Sequence, residues 1–257
     1  MTTANDSRAI DVLVHGGTGR MGRAVIAVAA RTPGVRFAGI IDPRGAPREP
    51  LEDTPVFDHI PVGGRGNRVV VDFSRPEAIG PLIGILRGSG AKLVSGTTGL
   101  GGEDRTMLEE YSKEAAVLYD ENMSYGVSVV RALLRAASEL FRDMADVEIV
   151  EFHHRGKKDH PSGTTYALAR AIDPAAVVVP GRSASSETGR RVIRSHSARL
   201  GGIPGEHHVY FATDDEVMTI SHRALSREAF ARGAIRAAVF VAGKPNGLYT
   251  AEDIARA

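Results

Sequence analysis

Three histidines, one arginine and two lysines crowd into the fifteen-residue stretch EFHHRGKKDHPSGTT, from Glu151 to Thr165. Lysine and histidine in such a cluster can donate protons near neutral pH, especially where neighbouring cations lower the lysine pKa. Pro161-Ser162-Gly163-Thr164 then opens an amphipathic stretch, so the N–H groups and hydroxyls of a helix start stand ready for a carboxylate. The chemistry suggested is proton transfer to an acidic substrate. A solvated charged loop and a metal site are the competing explanations. His153 and His154 cannot face one side of a strand. The carboxylate–histidine spacing of zinc sites is also missing, so no metal is expected.

A second constellation is VHGGTGRMG, Val14 to Gly22, at a strand-to-helix junction. Gly16, Gly19 and Gly22 allow a tight turn and close backbone approach, with Gly17, Thr18, Arg20 and Met21 lining the same loop and helix start. A glycine triplet alone is equally a structural turn in a chain with 29 glycines. Asp42, twenty residues beyond Gly22, adds the acidic side chain that accepts ribose hydroxyls, and the pair points to a dinucleotide. The Gly-Lys-Ser/Thr of an ATP-binding loop is missing. Asp42 suits the free 2′-hydroxyl of NADH, while Arg44 and Arg20 can tolerate the phosphate of NADPH, so use of both is expected. Hydride from a nicotinamide plus a positioned proton donor suits reduction of a carbon–nitrogen unsaturated acid.

These sites need elements to hold them. From Ile10 onward, apolar runs of strand length alternate with amphipathic stretches of helix length, as in βαβ units around a parallel sheet. Strands are expected at Ile10–His15, Val35–Asp42, Val69–Phe73, Lys92–Ser95 and Ala116–Tyr119. Helices should start near Arg20, ending before Pro33, and at Pro76, ending before Gly88. After about Ser124 the pattern changes. A helix over Val127–Asp143 precedes strands at Val147–His153, Val192–Arg199, His208–Ala212 and Glu216–His222, with one short helix among them. Arg227–Val241 is helical and could return to the first domain, and Pro180–Gly189 has the composition of a mobile loop. The expectation is an α/β fold: a Rossmann-like doubly wound parallel sheet from residues 1–123 and 226–257, and a second α+β sheet-containing domain from 124–225.

Bulk properties exclude several classes. A formal net charge of +1 gives no global field toward nucleic acid or an anionic membrane. With no cysteine there is no disulfide, thiolate metal site or cysteine nucleophile, which suits a reducing compartment. No apolar run reaches the length of a membrane helix and the N-terminus lacks a signal-peptide core, so a cytoplasmic location is expected.

Taken together, Gly16–Gly22, Asp72-Phe73-Ser74, Gly96-Thr97-Thr98-Gly99, Asn122-Met123-Ser124 and above all His153–Thr164 resemble the 4-hydroxy-tetrahydrodipicolinate reductase (dihydrodipicolinate reductase) family. Gly202–His207, Phe230–Ala234 and Gly247–Tyr249 extend the likeness over nearly the whole chain. The resemblance implies NAD(P)H-dependent reduction in the diaminopimelate route to lysine, and a homotetramer formed through the second domain's sheets. It places the catalytic roles on His153 and Lys157, and the substrate-carboxylate contacts on His154, Ser162, Gly163 and Thr164. It places cofactor contacts on Gly96, Thr97, Thr98, Asn122 and Met123. Arg199 is a further candidate carboxylate contact, Asp72 is open between site and scaffold, and His207, His208 and His222 are expected to be structural or part of the substrate domain. Domain closure, hinged near Ser124 and Leu225, is expected to bring nicotinamide to His153 and Lys157. His160 and Glu121 stand where the family has smaller residues, which leaves substrate fit and nicotinamide affinity open there. Residues 174–191 match poorly. A reductase of another acid and a catalytically silent NAD sensor are the alternatives; the sensor should have lost the proton-transfer residues, which are present here.

Overall fold

Strands buried on both faces read as near-continuous apolar runs, and the centres of the central sheet's strands are written that way. The computed structural model describes residues 9–44, 53–61, 67–181 and 191–255. They form two compact units, one of residues up to Ser124 with those from Phe230 on, the other Tyr125–Ala229.

The first unit holds seven parallel strands: β1 (Ile10–His15), β2 (Val35–Ile41), β3 (Val56–Phe57), β4 (Arg68–Asp72), β5 (Lys92–Ser95), β6 (Ala116–Tyr119) and β12 (Gly247–Tyr249). Their order is β12-β6-β5-β4-β1-β2-β3, which reverses direction of growth between β1 and β4. In such sheets the crevice at the strands' carboxyl ends at that reversal receives ligands. Helices α1 (Arg20–Ala29) and α6 (Glu228–Ala242) bury Val25, Val28, Ala234, Ile235, Ala238 and Val241 on one sheet face. Helices α2 (Ile79–Leu86) and α3 (Gly102–Ser112) bury Leu82, Leu86, Leu108 and Tyr111 on the other. The sheet is doubly wound, as expected.

The second unit pairs α4 (Tyr125–Phe141) and α5 (Gly163–Ile172) with a five-stranded mixed sheet. Its strands are β7 (Asp146–His153), β8 (Val177–Pro180), β9 (Val192–Arg199), β10 (Glu206–Ala212) and β11 (Val217–Arg223), in the order β11-β10-β7-β9-β8. Along β7 the alternation turns Val147, Ile149, Glu151 and His153 to the helix-covered face. The first two are core residues, and the last two bring polar chemistry to the strand's end.

Local structure departs from expectation by a residue or two at several element ends, and β3, β8 and β12 are strands beyond those expected. The strand at Val35 ends at Ile41, so Asp42 lies just past it. Pro180 closes β8, and residues 182–189 of the loop expected to be mobile lie outside the described residues.

Candidate active site

At the end of β1 the chain turns through Gly16, whose φ of +74° favours glycine. A Cβ on Gly22 would lie 2.2 Å from the Gly16 carbonyl oxygen, so α1 can approach the loop this closely only with glycine there. The N-cap of α1, Gly19, supplies no side-chain hydrogen bond to the first turn, and Arg20 is exposed beside it. An uncapped helix start with a cation at its mouth suits a pyrophosphate. Asp42 is bound by Arg44: the backbone N–H and Nε donate to Oδ1, both at 3.0 Å, and Nη2 to Oδ2 at 2.8 Å. These bonds hold the Asp42 carboxyl below its ordinary pKa.

Behind the loop, Asp72 settles the question the sequence left open about its environment. It is wholly buried and accepts from His15 Nδ1 at 2.7 Å, Ser95 Oγ at 2.8 Å, Thr97 Oγ1 at 2.7 Å and the Ser74 N–H at 3.1 Å. Burial pushes its pKa up, but these donors outweigh burial and leave it lowered. One carboxylate therefore ties the ends of β1, β4 and β5, the segments that lead into both candidate cofactor loops. The Thr97 hydroxyl, also accepting from the Ser74 N–H at 3.0 Å, is committed to this tie. Within Gly96-Thr97-Thr98 only Thr98 presents an exposed side chain. Gly96 lets the ring of Phe73 pack against it, where a Cβ would sit 2.3 Å from the ring. Asn122 and Met123 are buried, and Asn122 Oδ1 accepts from the Ser124 N–H at 2.9 Å. Gly233 of α6 allows the Met123 carbonyl to pass where a Cβ would be 1.6 Å away. Glu121, the first departure from the family pattern, accepts from Arg105 Nη2 at 2.8 Å.

The second unit gathers the basic cluster around Glu151, a residue that sequence reasoning passed over. Glu151 is wholly buried. Its Oε2 accepts from the Ser162 N–H at 3.0 Å and Thr165 Oγ1 at 2.6 Å; its Oε1 accepts from Ser197 Oγ at 2.8 Å and Arg199 Nη2 at 2.9 Å. Burial raises its pKa, and the four donors reverse that and hold it well below the carboxylate range. Arg199 thus meets a carboxylate of the protein itself. Ser162 caps α5, accepting from the Thr165 N–H at 3.2 Å, and its hydroxyl lies 3.2 Å from His207 Nε2. Gly163 and Thr164 form the first turn beyond it.

His153 is buried, packs edge-on against His207 with centroids 5.1 Å apart, and places Nδ1 3.9 Å from Glu151 Oε1. Burial pulls its pKa down to about 4; Glu151 opposes the fall, while Lys157 and Arg199 deepen it. His207 is shifted down as well, chiefly by burial. A Cβ on Gly205 would stand 3.2 Å from His153 Nε2, so glycine keeps that edge of the ring uncrowded. Lys157 Nζ donates to both oxygens of Asp159, at 2.8 and 2.6 Å. His154 is half-buried over Gly156, and His160, the second departure, is exposed. Glu151, His153 and His207 place ligand-type atoms within 4.8 Å of one another. Each Glu151 oxygen already accepts two hydrogen bonds, and at Oε1 one of the two donors is the Arg199 guanidinium, so the group is poorly suited to a cation.

These shifts give acid lability a definite sign. A histidine whose folded pKa lies below its unfolded value near 6.5 leaves the native state with fewer bound protons, so its stability contribution is full above about pH 6.5 and falls with acidification toward the folded pKa. Glu151, also depressed, contributes fully above about 4.3 and loses its contribution as pH falls further. For His153 the folded value is about 4. That difference corresponds to at most about 3 kcal/mol. The melting temperature should therefore drop steadily between pH 7 and 5, with His153→Asn flattening the slope. Constant melting across that interval would contradict the assignment.

Comparison with known proteins agrees with this architecture. The family described as dihydrodipicolinate reductase, N-terminus, matches residues 10–123, and dihydrodipicolinate reductase, C-terminus, matches residues 126–255. A 4-hydroxy-tetrahydrodipicolinate reductase of Caldanaerobacter subterraneus subsp. tengcongensis is 38% identical over 96% of this chain and 98% of its own. One of Anaeromyxobacter sp. is 36% identical over 95% and 97%. The dipicolinate-bound dihydrodipicolinate reductase of Paenisporosarcina sp. TG-14 shares the fold, with a TM-score of 0.68, 22% identity and coverage of 94% and 97%. The paired family matches and the full-length relatives, laid over a doubly wound sheet with a histidine-lysine second unit, show that the chain belongs to the dihydrodipicolinate reductase family.

Proposed function

We propose that this chain carries out NAD(P)H-dependent reduction of 4-hydroxy-tetrahydrodipicolinate, by way of dihydrodipicolinate, to tetrahydrodipicolinate. The observation that carries the reading beyond family membership is the gathering of His153, the α5 start and the Lys157 loop around one buried carboxylate. The first unit is the dinucleotide-binding domain, with Gly16, Gly17, Thr18, Gly19, Arg20 and Met21 at the pyrophosphate and Asp42 at the ribose. Thr98, the Gly96-Thr97 backbone, Asn122 and Met123 flank the nicotinamide. The second unit is the substrate and oligomerisation domain.

The reduced coenzyme, when bound, supplies a hydride to the ring carbon conjugated with the substrate imine. The protein's part is binding, charge and protons. His154, Gly163 and Thr164 receive a substrate carboxylate at the α5 start, with Ser162 serving from within as the cap that shapes the turn. The Lys157 ammonium stabilises the negative charge that develops on the substrate nitrogen, or donates the one proton that neutralises it. Asp159, whose side chain is 57% exposed, holds Lys157 through a pair of the kind that contributes little and exchanges readily for a substrate anion. His153 is neutral at pH 7 in the free protein. A dianion alongside raises its pKa and draws a proton onto it, ready for transfer. Incubating purified protein with each reduced coenzyme and substrate made in situ by its synthase should oxidise the coenzyme, read as loss of the reduced nicotinamide's absorbance. No oxidation of either coenzyme would refute the proposal.

Coenzyme choice rests on the Asp42–Arg44 pair. Arg44→Ala frees the carboxylate and removes the cation beside a 2′-phosphate. The ratio of kcat/KM for NADH to that for NADPH should rise about 10-fold or more, the equivalent of about 1.4 kcal/mol. An unchanged ratio would remove Arg44 from that role.

The assembly is a homotetramer in this proposal, formed through the face of the second sheet turned away from α4 and α5, where Val150, Phe152 and Tyr210 are half-buried. Light scattering on purified protein tests it, a monomer being the refuting result. The working compartment is taken to be the cytosol, in keeping with a chain that has no cysteine.

A further inference from the structure

Glu151 sits where a strand end needs no charge. Its neighbours on the same face of β7, Val147 and Ile149, pack into the core, and an apolar side chain of similar volume in place of a buried ion pair is often neutral or stabilising. What an apolar residue could not do is bond to two separate elements at once. Through Oε2, Glu151 fixes the start of α5 at the Ser162 N–H and at Thr165. Through Oε1 it fixes Ser197 and the Arg199 guanidinium. Arg199 passes the constraint on: Nη2 also donates to the Asp159 carbonyl at 2.7 Å, and Nε to the Lys157 carbonyl at 3.3 Å. The loop that carries Lys157 therefore hangs from the same carboxylate that anchors the anion-binding turn.

We propose that Glu151 is the positioning residue of the second unit's site, setting the distance between the substrate-carboxylate turn at Ser162–Thr164 and the Lys157 loop through its bonds to α5 and to Arg199. This rests on the reductase reading above and adds to it a residue that touches no substrate. The two oxygens divide the work. Oε2 belongs to the cradle and Oε1 to the proton-donating loop, so a side chain that keeps one acceptor but loses the other uncouples them. Glutamine is such a side chain. Its carbonyl can still accept from Ser162 and Thr165, whereas its amide presents a donor to the Arg199 guanidinium, which is itself only a donor.

The test is steady-state kinetics on the full-length wild type, Glu151→Gln, Arg199→Gln and the double variant, well below their melting temperatures. Glu151→Gln should lose about 30-fold or more in kcat, the scale on which small misplacements of reacting groups act. The KM for the coenzyme should stay within about threefold, because the coenzyme loops belong to the other unit. Arg199→Gln should show the same split. The double variant should be no worse than the poorer single variant, as for residues that act as a unit. A merely structural role would lower only the folded fraction, so the turnover per folded molecule, counted by stoichiometric coenzyme binding, would equal the wild-type value, whereas a positioning role lowers it. If Glu151→Gln does not fold, Ser197→Ala removes only one donor to Oε1 and should still cost about 3- to 10-fold in kcat with the coenzyme's KM unmoved. A folded Glu151→Gln with wild-type kcat, losses that multiply in the double variant, or a Ser197→Ala enzyme that matches wild type would each overturn the proposal. Wild type inactive with both coenzymes would overturn the reductase reading and this proposal together; an active wild type with an equally active Glu151→Gln overturns this proposal alone.

Discussion

Replacing Lys157 with alanine is expected to lower kcat by about 100-fold or more, with the coenzyme's KM held within about threefold. The reason is local. Lys157 Nζ is the ammonium group held by Asp159 at 2.6 Å, and its loop is fixed by the Lys157 N–H on the His154 carbonyl at 3.1 Å and by Arg199 beneath. Alanine removes the charge and the proton while leaving those backbone bonds in place, so the loss should fall on the chemical step. Methionine at the same position, which restores the stem without the ammonium, should not recover activity. His153→Ala should cost a similar factor, and its effect should depend on pH differently. In the proposed mechanism the imidazole, whose pKa is about 4 in the free protein, gains a proton only beside the bound dianion. Single-turnover rates at saturating coenzyme check both variants, and unchanged rates in both would remove the two residues from proton transfer.

The scaffold was more legible in the chain than the site. Strands β1, β5 and β6 span the residues expected of them, because burial on both faces gives each an apolar centre that the flanking turns delimit. Helix α3 went unread, since its charged GEDRTMLEEYS buries only Leu108, Tyr111 and Ser112. The short strands β3 and β12, of two and three residues, have no periodicity to read and exist because a neighbouring strand offers them bonds. The same reason explains the site. The basic block could be read because its residues adjoin in sequence. The Glu151 network could not, because Ser197 and Arg199 come from another strand 46 and 48 residues away, and His207 reaches Ser162 across 45. The one available clue was a glutamate on the face of β7 shared with Val147 and Ile149, where the alternation predicts an apolar residue. His207, expected to be structural or part of the substrate domain, is embedded in that same network beside His153. Arg199, a candidate substrate contact from the sequence, bonds a carboxylate of the chain itself.

Asp72→Ala should be the most damaging single change in the first unit, costing about 3–5 kcal/mol of stability and, at about 2–4 °C per kcal/mol for a domain of this size, roughly 10 °C or more in melting temperature. The substitution leaves the His15 Nδ1–H, the Ser95 and Thr97 hydroxyls and the Ser74 N–H without their acceptor at a position with no solvent exposure. Unsatisfied buried donors bear the full desolvation penalty, which is why the loss exceeds the net value of the bonds themselves. The consequence reaches the coenzyme. His15 immediately precedes Gly16, and Thr97 lies between Gly96 and Thr98, so both candidate cofactor loops lose their common anchor. Coenzyme affinity, followed by NADH fluorescence on the folded variant, should weaken about 10-fold or more, a loss of about 1.4 kcal/mol. Ser95→Ala provides the comparison, because it removes one donor and leaves Asp72 with three, and its stability cost should stay near 1 kcal/mol. Asp72→Ala with an unchanged melting temperature and unchanged NADH binding would show that the ends of β1, β4 and β5 hold these loops without the carboxylate.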